Sequence, residues 1–459
     1  MAPGAEQRRA ATGGGVRGLP ARHAAMAIVS RVLDGGDTLE DAFGSSGGGA
    51  GESGLSRLDQ RDRALARAIV ATTLRRLPQI DAVLARFLRK PIDARACRVP
   101  AILKTAAAQI LFLGMASHAV VNIATSLAAG EPSGRAMRGL TNAVLRRVAA
   151  EGPAIVARQD AAAMVLPGWL AARWQGAYGR DATRAMAELL LEEAPLDLSV
   201  RREEDAPGWA AKLGGSVPVA GTVRLARAGQ VTALGGFAEG AWWVQDAAAA
   251  LPVRLMGDVS GRRVIDLCAA PGGKTAQLSA RGAQVTAVDR DGARMRRLGQ
   301  NLDRLGLDAG QVVADALEWR PPDAADAVLL DAPCSATGIM RRHPDILRRR
   351  RAGHLAPLAA LQARLLRAAA DMVRPGGVVV YCTCSLEREE GEAQIDRMVA
   401  ETGGLARGAI DPGLAGAFAP AITPQGDMRV LPNLLSEHGG NDGFFIAILK
   451  KMATNQLSR

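Results

Sequence analysis

Hydrophobic positions fall in distinct regimes along the chain. From Ala21 to about Ala150 apolar residues recur at three-to-four spacing, as in Ile102, Leu103, Ala106, Ile110 and Leu113, which predicts helices throughout. A Gly/Ser stretch from Gly44 to Gly54 interrupts them and reads as a long flexible loop. Residues 160 to about 245 change character. Pro167-Gly168-Trp169-Leu170 opens a helical piece reaching Trp174 and Tyr178, and short alternating runs follow at Leu196–Arg201 and Thr222–Leu225, the pattern of a small α+β module. From Gln245-Asp246 to residue 400 the rhythm is strand, helix, strand, helix, which predicts a doubly wound parallel sheet.

The expected organisation is therefore a leader over 1–19, rich in Gly, Ala and Arg and expected to be disordered, an all-α domain over 20–152, the α+β module over 160–244 and an α/β domain over 245–455. No apolar run reaches membrane-spanning length, and Met1–Pro20 lacks the apolar centre of a signal peptide, so a cytoplasmic protein with no membrane partner is expected.

Charge and cysteine usage narrow the function. The 57 Lys+Arg against 46 Asp+Glu leave +11, a long-range attraction for polyanions, although a genome-wide bias toward Arg, Ala and Gly would raise the same count. Arg57, Arg61, Arg63, Arg67, Arg75 and Arg76 crowd neighbouring helices, as either a solvated or an RNA-facing surface. Aromatic residues are only 3% of the chain, so base-stacking platforms are scarce, and phosphate contacts and shape are expected to supply most RNA affinity. The five cysteines, Cys97, Cys268, Cys334, Cys382 and Cys384, form no C-x-x-C pair, and the five histidines are scattered. Neither a disulfide framework nor a metal site is expected.

The chemistry gathers where strands end. Val264, Ile265 and Leu267 form a short buried strand, Pro271, Gly272 and Gly273 force a turn, and a helix starts from Lys274. Such a junction attracts an anion to free N–H groups and lets a ligand approach the backbone. Gly273, Lys274 and Thr275 fit the end of a P-loop, but its leading glycine position holds Cys268, and the dinucleotide fingerprint G-x-G-x-x-G is absent. Later strands end at Asp289, placed to take a ribose diol, at Asp315, placed for an adenine amino group, at Asp331-Ala332-Pro333-Cys334-Ser335, and at Cys382-Thr383-Cys384-Ser385. A single Asp at a strand end is most often a helix cap. A whole set of reactive ends in register points to a ligand crevice.

Asp266-Leu267-Cys268-Ala269-Ala270-Pro271-Gly272-Gly273-Lys274-Thr275, Asp331-Ala332-Pro333-Cys334-Ser335 and Thr383-Cys384-Ser385 resemble the motifs of the Sun/Nop2 family of RNA cytosine-5 methyltransferases. Arg341-Arg342-His343-Pro344-Asp345 and Asp442-Gly443-Phe444-Phe445 match the same family, over residues 245 to 450. The Met137–Arg147 segment resembles the final helix of an RNA-binding antitermination domain of the NusB type. Together these resemble the bacterial members that methylate small-subunit ribosomal RNA.

The resemblance implies a Rossmann-like fold binding S-adenosyl-L-methionine, with Cys268, Ala269, Ala270, Pro271, Gly272, Gly273 and Lys274 at its methionine end, Asp289 on the ribose and Asp315 on the adenine. Asp331 is implied to meet the cofactor or the N3/N4 edge of cytosine, Cys384 to be the nucleophile and Cys334 to assist release of the methylated base. The chemistry requires sulphur. Cytosine C5 is too weak a nucleophile unaided, and a thiolate added at C6 makes it enamine-like and later leaves. The implied substrate is structured ribosomal RNA with an accessible cytosine, since the base must be unstacked, and a monomer is expected.

The chain departs from the family pattern in places. Cys382 stands where a small residue is usual, and two residues apart in a strand it shares a face with Cys384; the Thr-Cys-Ser context favours Cys384 and leaves Cys382 as packed core. The family's Arg-Val-Asn in the α+β module is Ser199-Val200-Arg201-Arg202 in this chain, which puts an RNA contact through that asparagine in doubt. Arg294 is either a further cofactor contact or an exposed helix arginine. Alternatives to a ribosomal RNA methyltransferase are one acting on transfer RNA, a non-catalytic RNA-binding or antitermination factor, and a P-loop phosphotransferase.

Overall fold

The computed structural model describes residues 18–44, 55, 57–93, 98–132, 134–227, 229–402 and 404–452. The expected leader up to residue 17, nearly all of the Gly/Ser loop (45–54) and Cys97 lie outside the described residues. The chain divides into two compact units, residues 1–167 with 343–349, and 168–342 with 350–459.

The first unit is helical: Leu19–Leu33, Leu39–Gly44, Gln60–Arg75, Leu77–Ala85, Val99–Leu111, Ser117–Gly130, Arg138–Val156 and Ala161–Val165, with Ile346–Arg349 from the distant segment. Prolines at the first turns of three of these helices suit positions whose N–H has no intrahelical acceptor. Asp59 caps its helix by accepting from Asp62 N. Ile102, Leu103 and Ala106 are buried in the common core with Ile28, Ile69, Val83 and Val148, whereas Ile110 is half-buried and Leu113 lies past the helix end. The arginine cluster splits. Arg57, Arg61 and Arg67 are exposed, Arg63 donates to Leu58 O, and Arg76 lies over the Phe112 ring. Asp345 of the Arg-Arg-His-Pro-Asp motif belongs to this unit, where its carboxylate accepts from Leu39 N at 3.1 Å.

The second unit begins with helices Gly168–Tyr178 and Arg180–Leu190. Strands β1 (Leu196–Val200), β2 (Ser216–Val219), β3 (Thr222–Leu225) and β4 (Trp242–Val244) then form an antiparallel sheet ordered β2-β3-β1-β4. Its apolar face, with Leu198, Val200, Val223 and Trp242, packs on helix Ala206–Leu213. The buried Arg224–Asp197 pair, at 2.7 Å on both prongs, joins β3 to β1.

The large sheet contains β5 (Arg263–Leu267), β6 (Gln284–Asp289), β7 (Gly310–Val313), β8 (Ala325–Asp331), β9 (Val373–Thr383), β10 (Leu405–Gly408), β11 (Met428–Val430) and β12 (Phe444–Lys451). Its order is β10-β12-β9-β8-β5-β6-β7, with β11 beside β12. The strands β5 to β9 pair in parallel as the alternating pattern predicts. Past residue 400, where that alternating pattern stops, the far edge is antiparallel: β12 runs antiparallel to β9, β10 and β11. Phe444–Leu449 is a continuous apolar run buried on both faces, and hydrophobicity carries no strand direction. The chain runs outward from β5 through β6 to β7, then returns to β8 and β9 on the other side. The switch point lies between the carboxyl ends of β5 and β8.

Candidate functional site

The crevice at this switch point is built first from backbone. Past β5, Cys268 takes φ 59° and Gly272 φ 103° before helix Gly273–Ala280 begins. At Gly272 a Cβ would lie 2.7 Å from Leu298 Cγ, so only glycine fits the turn. Gly272 N donates to Ala269 O, and Arg294 Nη2 donates to Ala270 O at 2.7 Å. Arg294 therefore braces the loop through its main chain. Below the loop, Asp266 is wholly buried, accepts from Thr275 Oγ1 at 2.6 Å, and has its other oxygen without a hydrogen-bond partner. Burial pushes its pKa up to about 7.

Asp289 closes β6, and its two carboxylate oxygens accept from Asp291 N (2.9 Å) and Ala270 N (3.1 Å). One donor per oxygen leaves a further lone pair on each for a vicinal diol. Beside it in register, Val313 ends β7 with 61% of its surface exposed, an apolar cover for a flat ring. Asp315 follows, accepting from Leu317 N through one oxygen. A diol acceptor, an apolar cover, a further carboxylate and a helix N-terminus fit the ribose, the purine and the carboxylate of an S-adenosyl amino acid. Val313 carries no sequence signal beyond being an apolar residue where a strand runs out.

The other wall carries the thiols. Lys274 Nζ lies 2.7 Å from Asp331 Oδ2 and 5.3 Å from the centre of the Phe444 ring. Burial alone would lower the pKa of this ammonium, but the negative charges around it, Asp331 foremost, and its hydrogen bond to Asp331 together outweigh burial and raise it. Asp331 Oδ1 lies 3.6 Å from Cys382 Sγ. The Sγ atoms of Cys334 and Cys384, both half-buried residues, are 3.4 Å apart. Strand β9 ends at Thr383, so the two nearby cysteines separate: Cys382 is buried in the core facing Asp331, and Cys384 faces Cys334. The contact with Cys384, together with burial, raises the pKa of Cys334 well above that of a free thiol. Burial lifts Cys268 to about 12, and it raises Cys382 as well. Among the described residues no cluster suited to a metal ion is present.

Sequence reasoning missed what lies behind the sulphurs. Glu390 is wholly buried and accepts from Ser335 N, Ser335 Oγ, Ser385 Oγ and Gln362 Nε2. Trp174 and Arg173 hold Glu387 at 3.0 and 2.6 Å, and Tyr178 OH donates to Leu386 O. The family-motif arginines are braces. Arg342 pairs with Asp246 (2.6 Å) and Asp442 (3.1 Å), and Arg341 donates to the carbonyl of Glu193 at 2.8 Å.

A switch-point crevice shaped for an S-adenosyl ligand, walled on one side by thiols, is that of an S-adenosylmethionine-dependent methyltransferase. The comparisons with known proteins narrow the class. Residues 254–450 match the family model described as 16S rRNA methyltransferase RsmB/F, and residues 19–150 match that of the NusB family. The chain is 38% identical over 402 residues to ribosomal RNA small subunit methyltransferase B of Xanthomonas campestris pv. campestris, covering 84% of this chain and 89% of that protein. It is 34% identical over 459 residues to the protein of the same name from Pseudomonas putida, covering 95% and 99%. The crystal structure of PH0851 shares the fold, with a TM-score of 0.71 and 23% identity over 94% of this chain and 99% of that one. The chain belongs to the RsmB/F family of 16S ribosomal RNA methyltransferases. No helix among the described residues is long and apolar enough to cross a membrane.

Proposed function

We propose that this protein transfers a methyl group from S-adenosylmethionine to C5 of a cytosine in small-subunit ribosomal RNA, through a covalent bond between Cys384 and C6. The observation that carries the reading is the 3.4 Å approach of two half-buried thiols beside the switch-point crevice. The cofactor supplies an electrophilic methyl group. Cys268 to Lys274 hold its amino-acid end, Asp289 its ribose and Asp315 its adenine. Asp331, oriented by Lys274, meets the N3/N4 edge of the base and orients it by accepting from its amino group.

Cys384 as thiolate bonds C6, and the displaced electron pair makes C5 nucleophilic. After methylation the C5–H pair re-forms the C5–C6 double bond and the C6–S bond breaks, its pair staying on sulphur. The Cys334 thiol, kept protonated by its raised pKa, gives its proton to Cys384 and receives the proton leaving C5. The exposed arginines of the helical unit and the net charge of +11 suit an RNA partner bound mainly through phosphates.

Bisulfite sequencing of small-subunit ribosomal RNA from a strain lacking the gene tests the assignment. The expected result is one cytosine that loses its protection and regains it with the wild-type gene. An unchanged pattern in small-subunit RNA, with a cytosine in transfer RNA losing protection, would move the substrate; no change in either would reject C5 chemistry.

A further inference from the structure

The two sulphurs sit on segments far apart in the chain, yet one side chain stands one residue behind each of them. Ser335 follows Cys334 and Ser385 follows Cys384. Glu390 Oε1 accepts from Ser335 N and from Gln362 Nε2, both at 2.9 Å. Its Oε2 accepts the Ser335 hydroxyl and, at 2.5 Å, the Ser385 hydroxyl. The backbone carbonyl of the same residue accepts from Tyr381 OH at 2.8 Å and Thr383 Oγ1 at 3.3 Å. A wholly buried carboxylate is costly unless its oxygens are satisfied, and four charge-assisted bonds fix geometry more tightly than neutral ones.

The two thiol segments depend on this hub unequally. Cys384 has separate anchors: Gly338 N donates to its carbonyl at 2.9 Å, Leu386 N to Thr337 Oγ1 at 2.9 Å, and Arg429 Nη1 to Ser385 O at 2.5 Å. The Cys334 segment has anchors too, with Arg350 donating to Ser335 O at 3.0 Å and to Cys334 O at 3.3 Å, and Gln362 Nε2 to Pro333 O at 2.9 Å, but Ser335 gives both its N–H and its hydroxyl to Glu390 whereas Ser385 gives only its hydroxyl. Loss of the carboxylate therefore removes two bonds from the Cys334 side and one from the Cys384 side.

We propose that Glu390 is a positioning residue for the methyl transfer: by seating Ser335 and Ser385 it holds Cys334 against Cys384, and so governs release of the methylated base more than attack on it. The proposal rests on the assignment of Cys384 as nucleophile and Cys334 as releasing group. Glu390 has no exposed surface, so it acts only through those two segments.

The test uses the full-length protein, S-adenosylmethionine and transcribed small-subunit ribosomal RNA, with turnover and the RNA–protein adduct resistant to denaturing electrophoresis both measured. Glu390→Ala is expected to lose about a hundredfold in turnover, the scale of a misplacement of about 1 Å. Its KM for RNA stays within roughly threefold of wild type, and adduct accumulates as in Cys334→Ala. Glu390→Gln, which keeps an acceptor for Ser335 N and a donor for the hydroxyls, recovers most of the turnover. Ser335→Ala, the milder change should Glu390→Ala fail to fold, accumulates adduct to a smaller extent. Wild-type turnover in Glu390→Ala, or lost turnover without adduct in both Glu390→Ala and Ser335→Ala, would overturn the proposal. Absence of adduct in Cys334→Ala would instead overturn the assignment of the two sulphurs.

Discussion

The two walls of the crevice are built by different means. The cofactor wall is made of backbone: a left-handed turn that only glycine fits at Gly272, a helix start, and carboxylates that each strand delivers as it ends. The thiol wall is made of side chains held by other side chains, with Glu390 gathering donors from residues 335, 362 and 385. A backbone-built site is fixed by local φ/ψ and tolerates changes that leave the turn intact. A network-built site fails wherever one member is removed, because the others are left buried and unsatisfied.

The sharpest way to separate the walls is Cys384→Ala. Turnover is expected to fall by about 10⁴-fold or more, while cofactor and RNA affinities measured by calorimetry stay near wild type. Loss of cofactor affinity in this variant would mean the walls are not independent.

Asp266, beneath the turn, gives the next largest effect. Its folded pKa of about 7 stands above the value for an exposed carboxyl, so the unfolded chain ionises it first as pH rises. The folded state is therefore progressively disfavoured between about pH 4 and pH 7, and the loss is complete above pH 7. Asp266→Asn removes that slope. Urea titrations at pH 4 and pH 7.5 should show the variant gaining on wild type by about 4 kcal/mol across the interval. A gap that does not change with pH would contradict the buried protonated carboxyl.

Gly272→Ala attacks the backbone wall directly. A side chain at φ 103°, pressed 2.7 Å from Leu298, is expected to cost about 2 kcal/mol and to weaken cofactor binding by roughly thirtyfold. Adduct formation at saturating cofactor should survive. The smallest effect is expected at Val313, where Val313→Ala trims the apolar cover and costs about 1 kcal/mol, roughly fivefold in cofactor affinity by calorimetry. An unchanged affinity would place the adenine elsewhere.

The same contrast explains what could be read from the sequence. Strand β5, the turn and the helix after it were legible because Pro271, Gly272 and Gly273 are local punctuation with one physical meaning. Asp289, Asp315 and Asp331 were legible because alternating strands and helices put them at one edge of one sheet. Glu390 was not, because its partners come together only through tertiary packing and a glutamate in a charged stretch reads as solvated surface. The antiparallel course of β12 was hidden for a related reason: pairing direction leaves no mark on an apolar run. Strand alternation alone did not separate Cys382 from Cys384, for which only the Thr-Cys-Ser context spoke, and the strand ending at Thr383 parts them. Arg63 and Arg76 illustrate the reverse error, since a basic stretch of sequence includes arginines spent on carbonyls and ring faces.

The most direct measurement is whether RNA becomes covalently attached. Cys334→Ala, incubated with small-subunit ribosomal RNA and S-adenosylmethionine and run under denaturing conditions, should show an RNA-bearing protein band that vanishes in the Cys334→Ala/Cys384→Ala double variant. A band that persists in the double variant, or methylation of cytosine C5 by Cys384→Ala, would contradict the account.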